Sequence, residues 1–153
     1  MNWRKKILAF IAVVLIAIQL IRPAPNQNGQ VTPADVSYTL SITDSVQLVL
    51  INSCYDCHSN NTRYPWYINV QPMGWIMARH VKEGKENLNF NEFGTYSKRK
   101  QANKLRSIAT SIKEGTMPIN SYNLMHKDAR LSEQNKNLII DWALKTKDSL
   151  GNN

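Results

Sequence analysis

The chain has 153 residues and a formal net charge of +8, a length that fits one domain. The positive excess is uneven: Arg4, Lys5, Lys6 and Arg22 flank an apolar run, all 11 acidic residues come after position 30, and from residue 31 onward the balance is only +4. No basic stripe interleaved with aromatic residues stands out, which argues against DNA or RNA as a partner.

The first element is an apolar run of 15 residues, Ile7–Ile21, with Gln19 as its one polar member. As a helix it would be about 22 Å long, short of a bilayer core of ~30 Å. That length suits the apolar region of a cleaved signal peptide. The flanks favour an uncleaved anchor. No Ala-x-Ala pattern follows, Ala24 lies between Pro23 and Pro25, Trp3 suits the headgroup level, and the four basic residues can snorkel. Residues 1–22 are therefore expected to be a single-pass transmembrane helix in a bacterial inner membrane. The basic residues at the start stay in the cytoplasm and the globular part faces the periplasm. The alternative is a secreted periplasmic domain after signal cleavage. Residues 23–40, rich in Pro, Asn and Gln, are expected to be a flexible tether.

Residues 41–149 read as an all-α domain. Thr43 or Asp44 can cap a helix carrying Val46, Leu48, Val49, Leu50 and Ile51 straight into Cys54. The segment SNNTRYPWYINVQP is a loop by its turn residues, and Pro72 is placed to open a second helix ended by Gly84. KENLNFNEFGTY reads as another loop, its alternating Asn residues as loop chemistry. A third helix runs from near Ser97 with an apolar stripe of Leu105, Ile108, Ala109 and Ile112, closed by Gly115. Its basic stretch, SKRKQANKLR, reads as a solvated face, with a docking patch for an acidic partner as the other reading. A last helix after Ser132 carries Leu138, Ile139, Trp142 and Ala143 on one face. A domain this small buries a modest core, and its long loops need something to pack on.

Both cysteines fall in SCYDCH, at Cys54 and Cys57, with His58 next. Haem carries two neighbouring vinyl groups, which two thiols on one helical turn can reach as thioethers. His58, four residues from Cys54 on the same face, can then point its imidazole at the iron. This is the pattern of covalent c-type haem attachment. A structural zinc site would need four ligands, and neither His80 nor His126 has a zinc-finger spacing to the cysteines. A redox dithiol would sit beside a βαβ unit, and a disulfide here would close a trivial loop.

The other axial position has several candidates. Met117, in GTMP, follows a helix terminator and precedes a proline, on a stiff loop remote from His58, as small c-type cytochromes present a distal Met. Core filling is the competing role for a methionine. His80 and His126 are the alternative ligands; Met73, Met77 and Met125 are also available, as is an open sixth position. The second ring nitrogen of His58 should be held by a backbone carbonyl, for which Pro72 is preferred over Pro65. Tyr64, Trp66, Tyr67 and Trp75 are expected to line the haem edge and reach its propionates, with ordinary core packing as the other role.

The strings CYDCHSNNTRYPWY, HVKEGKENLNFNEF, GTMP and YNLMHKDARLS together resemble the haem-binding domain family of exported bacterial proteins, relatives of c-type cytochromes. The likeness covers about residues 45–148, and Tyr64-Pro65-Trp66-Tyr67 and Leu88-Asn89-Phe90 are its more specific parts. It implies a small cytochrome-like helical domain with one haem bound covalently by Cys54 and Cys57 and its iron on His58; it leaves the distal ligand open. The expectation is a membrane-tethered monohaem carrier of single electrons between redox partner proteins or membrane complexes, and not an enzyme. The alternatives are a haem sensor or small-ligand binder, or a peroxidase-like enzyme, with an open or displaceable sixth position.

Overall fold

The computed structural model describes residues 2–29 and 31–151. The chain is all-helical, with no strand among the described residues. Among the described residues eight α-helices follow one another: α1 (Trp3–Ala17), α2 (Val36–Thr39), α3 (Asp44–Ser53), α4 (Tyr55–His58), α5 (Met73–Asn87), α6 (Lys98–Lys113), α7 (Asn120–Met125) and α8 (Glu133–Gly151). Short 3-10 turns at Ile18–Leu20, Trp66–Asn69, Phe90–Thr95 and Lys127–Ala129 join them.

The helix starts are set by local chemistry. The Thr43 hydroxyl accepts from the Val46 amide, Ser97 from Lys100 and Ser132 from Asn135, each supplying a partner to an amide that the helix leaves unpaired. Their apolar stripes then meet. Val46, Val49 and Leu50 of α3, Leu105, Ala109 and Ile112 of α6, and Ile139, Trp142 and Ala143 of α8 form the main core with Phe90 and Phe93. A second, smaller cluster joins Met77 and Val81 of α5 to Tyr122 of α7 and Ala129.

Three expectations change. First, α1 stops at Ala17 and the next three residues tighten into a 3-10 turn. Among the described residues no helix is long and apolar enough to cross a membrane, which corrects the expected transmembrane span. Second, the segment 23–40 differs from a free tether. Asp35 and Val36 are fully buried, and the Asp35 carboxylate accepts from the Asn91 side chain (2.6 Å). Asn26 to Asn28 run antiparallel to Asn60 to Thr62. The Asn26 side chain donates to the Ser59 carbonyl and to Thr62, and accepts from Lys85. Polar side chains that read as linker are here the means of docking. Third, α5 continues through Gly84 to Asn87. Gly84 is there for space: a Cβ would lie 2.5 Å from the Cys57 carbonyl oxygen. The glycine lets α5 cross directly over the Cys57 backbone.

Candidate haem site

Helix α3 delivers the chain to Cys54, where the backbone breaks (φ −125°, ψ −41°) and restarts as the single turn α4. The His58 amide donates to the Cys54 carbonyl (3.0 Å), closing that turn and putting Cys54, Cys57 and His58 on one wall. This wall bounds a cavity of about 580 Å³, within the usual range for small-molecule sites. Gly84 and Leu88 of the α5 end, Phe90, Ile108 and Ile112 of α6, and Tyr122 form much of the rest. Leu88, Phe90 and Ile112 belong to the main core and Tyr122 to the smaller one, so the cavity lies between the two hydrophobic clusters.

His58 is oriented by its Nδ1, which lies 3.0 Å from the Leu88 carbonyl oxygen. An Nδ1–H donating there leaves Nε2 with a free lone pair. Burial pushes the His58 pKa down; the Leu88 and Gly84 carbonyls oppose this, and the Lys104 charge adds to it. The ring is therefore neutral near pH 7, the form that binds a metal. The clamp is Leu88 and not the expected Pro72, which lies exposed at the α5 start and accepts from the Ile76 amide. Leu88 can serve because it leaves the helix in an extended conformation (φ −153°, ψ 123°), which frees its carbonyl.

Asn89 and Asn91, just after it, are locked. The Asn89 side chain donates to Asn60 (3.0 Å) and accepts from the Asn91 amide (3.1 Å), while the Asn91 side chain accepts from the Asn60 amide (2.6 Å). The alternating asparagines thus tie the clamp to the chain just past His58. Sequence reasoning missed this function. The signal was present as asparagines flanking Leu88 and Phe90.

Both cysteines are free thiols. Burial raises the Cys54 pKa to about 12, helped by the charge of Cys57, and that of Cys57 to about 11, helped by Asp56. They are neutral S–H groups at pH 7, unlike the depressed thiolates of redox dithiols or metal sites. Among the described residues no group of three or more His, Cys, Asp and Glu converges as a metal site would require, so the donor set for structural zinc is not assembled.

Met117 and His80 both line the cavity. Gly115 adopts a left-handed conformation (φ +70°) at the end of α6, and the amides of Thr116 and Met117 donate back to the Ser111 carbonyl. This bend carries Met117 to the cavity, where it is 42 % exposed. His126 is elsewhere. It stacks on Tyr122 (ring centroids 4.0 Å apart, 10° between planes), and its Nε2 pairs with the Tyr67 hydroxyl. That corrects its standing as an alternative ligand.

The expected aromatic edge is also displaced: none of Tyr64, Trp66, Tyr67 and Trp75 lines the cavity. The Tyr64 hydroxyl accepts from the Asn26 amide (2.7 Å) and the Trp75 indole donates to the Ile21 carbonyl (2.8 Å), so both secure the N-terminal segment. Trp66 is 78 % exposed. The cavity's aromatics are Phe90 and Tyr122. Tyr122 is fixed by its hydroxyl, which donates to the buried Asp56 carboxylate (2.6 Å); Arg63 donates to the same carboxylate from its backbone and guanidinium. Polar groups at the cavity include Lys104, Ser107 and Asn87.

An apolar cavity with the Nε2 of His58 left to bind, two neutral thiols beside it and a thioether on its wall fits haem. The fold and site define a helical haem-binding domain. The chain belongs to the Haem-binding domain family, whose model matches residues 13–145, including the segment 23–40 that the structure places against the domain. No curated protein and no solved structure matches the chain.

Proposed function

We propose that this protein is a monohaem, c-type cytochrome-like electron carrier working outside the cytoplasm, in the periplasm. The observation that carries the reading is that Cys54, Cys57, His58 and Met117, two segments remote in sequence, line one cavity. Each S–H would add across a vinyl group, forming an S–C bond and passing its hydrogen to the neighbouring carbon. Such thioethers would hold the porphyrin edge without needing a thiolate at rest. His58 Nε2 and the Met117 sulfur would hold the iron. Met/His ligation favours the reduced iron and raises the potential, as suits one-electron exchange with redox partner proteins. The bound haem supplies the redox couple; the chain orients it through the Leu88 clamp and shields it with Phe90, Ile108 and Ile112.

A second reading is favoured by one observation. Met117 is partly exposed and His80 lines the same cavity, so the sixth position is open to displacement, as a sensor, a small-ligand binder or a peroxidase-like enzyme would require. Co-expression with haem-attachment machinery tests both. The carrier retains haem through denaturation, shows a Met–iron charge-transfer band lost in Met117→Ala, and does not bind carbon monoxide readily when untouched. Ready carbon monoxide binding by the unmodified protein selects the sensor or enzyme reading. Haem lost on denaturation ends the covalent reading.

A further inference from the structure

The N-terminal helix and one face of the domain share a property that the haem site does not explain. No residue of α1 is buried, and Ile7, Leu8, Phe10, Val13, Leu15 and Ile16 are exposed. At 100° per residue these point in every direction round the axis. A helix that pairs with one protein partner shows an apolar stripe, whereas one that is apolar all round is surrounded by apolar material.

The helix is also not loosely attached. The Gln71 amide donates to the Gln19 side chain (2.8 Å), and that side chain donates back to the Gln71 carbonyl (3.2 Å). The Trp75 indole then holds Ile21. Around this latch lie Leu20, Ile21, Trp66, Val70, Met73 and Ile76, every one an exposed large apolar side chain. Leu20 and Trp66 are 85 % and 78 % exposed. Monomeric proteins rarely leave so many contiguous apolar groups in water.

We propose that this collar and α1 form one docking face for a lipid surface with anionic headgroups. The chemistry selects that occupant. The first acidic residue is Asp35, so Arg4, Lys5, Lys6 and Arg22 at the two ends of the apolar segment face no acidic residue near them in the chain. Trp66 and Trp75 stand at the collar, where amphipathic rings favour the boundary between headgroups and acyl chains. Contact requires no crossing: α1, about 22 Å long, lies along the boundary of headgroups and acyl chains, so that Arg4, Lys5, Lys6 and Arg22 all reach headgroups while the collar rests beside it. The domain is then seated on the lipid and not suspended above it. This goes beyond the haem reading and does not depend on it.

The test uses the full haem-loaded chain with vesicles of phosphatidylcholine and phosphatidylglycerol whose acyl chains carry a photoactivated carbene precursor. Peptide mass spectrometry after illumination locates the labels. Labels in both α1 and residues 66–76 are expected. The double variant Val70→Glu, Ile76→Glu changes only exposed positions; it should lower labelling of 66–76 at least ten-fold while leaving α1 labelling and the haem spectrum unchanged. Labels confined to α1 overturn the proposal, because the domain then stands off the lipid. So does an unlabelled collar in a chain that chemical cross-linking shows to be dimeric, since a second copy then covers it. Unchanged labelling in the double variant would also overturn it.

Discussion

The smallest scale on which the site can be judged is the single side chain, and here three residues make separable claims. Met117→Ala should lower the reduction potential and open the iron to carbon monoxide, with His58 ligation retained; potentiometry and ferrous spectra check this. Lys104 lines the cavity, and with haem bound there its charge would favour the less positive reduced iron. Lys104→Gln should lower the midpoint potential and Lys104→Arg should preserve it. His126 bears on stability. Burial between Tyr122 and Tyr67 holds its pKa below the usual 6.5, so the folded state prefers the neutral ring. Its contribution is complete above about pH 6.5 and is lost as pH falls from there through the folded value. Thermal melts between pH 7.5 and 5 should therefore fall less steeply in His126→Gln than in the parent chain.

At the scale of elements, the crossing of α5 over α4 is the tightest constraint. Gly84→Ala drives a methyl group into the Cys57 carbonyl, so α5 must shift away from α4. A cost of about 1–3 kcal/mol is expected, with reduced haem incorporation, read by denaturant melts and haem stain. Asn89→Ala, which breaks the lock behind Leu88, should cost a comparable ~1–3 kcal/mol because buried partners are left unpaired.

These two positions also show what the sequence could and could not reveal. The helix starts at Thr43, Ser97 and Ser132 were legible because a hydroxyl at each can reach the amide three residues on. The glycine at 84 reads the same whether it ends a helix or makes room for another backbone; only the tertiary approach of Cys57 decides. The Cys54–His58 turn was legible as a spacing, but the carbonyl clamp on His58 was not. Any residue leaving a helix can offer a carbonyl, and Leu88 is chosen by a fold that brings α5 back over α4. The aromatics at 64–75 were misplaced for the same reason. Nearness to His58 in the chain led away from the cavity, toward the N-terminal segment.

On the scale of the whole molecule, the domain begins earlier than its composition suggests. Two short buried residues, Asp35 and Val36, generate no periodic pattern, so a docked segment resembles a linker. A chain starting at residue 41 should melt well below one starting at residue 23, since it lacks the Asn26 contacts and the buried Val36 and Leu40. Equal melting temperatures would restore the tether.

The longest-range consequence belongs to α5. Its first turns carry Met73 and Ile76 of the collar, its last turns carry Gly84 against Cys57, and Leu88 follows to hold His58. The helix has 15 residues, so it is a strut about 22 Å long with the apolar collar at one end and the clamp on His58 at the other. A strut of that kind works as a gauge. With haem on His58 and lipid at the collar, as proposed above, it would cap the height of the haem above the lipid at about its own length, whatever the tilt. Partners would then be sorted by the height at which they present their own electron donor or acceptor, before any surface recognition begins.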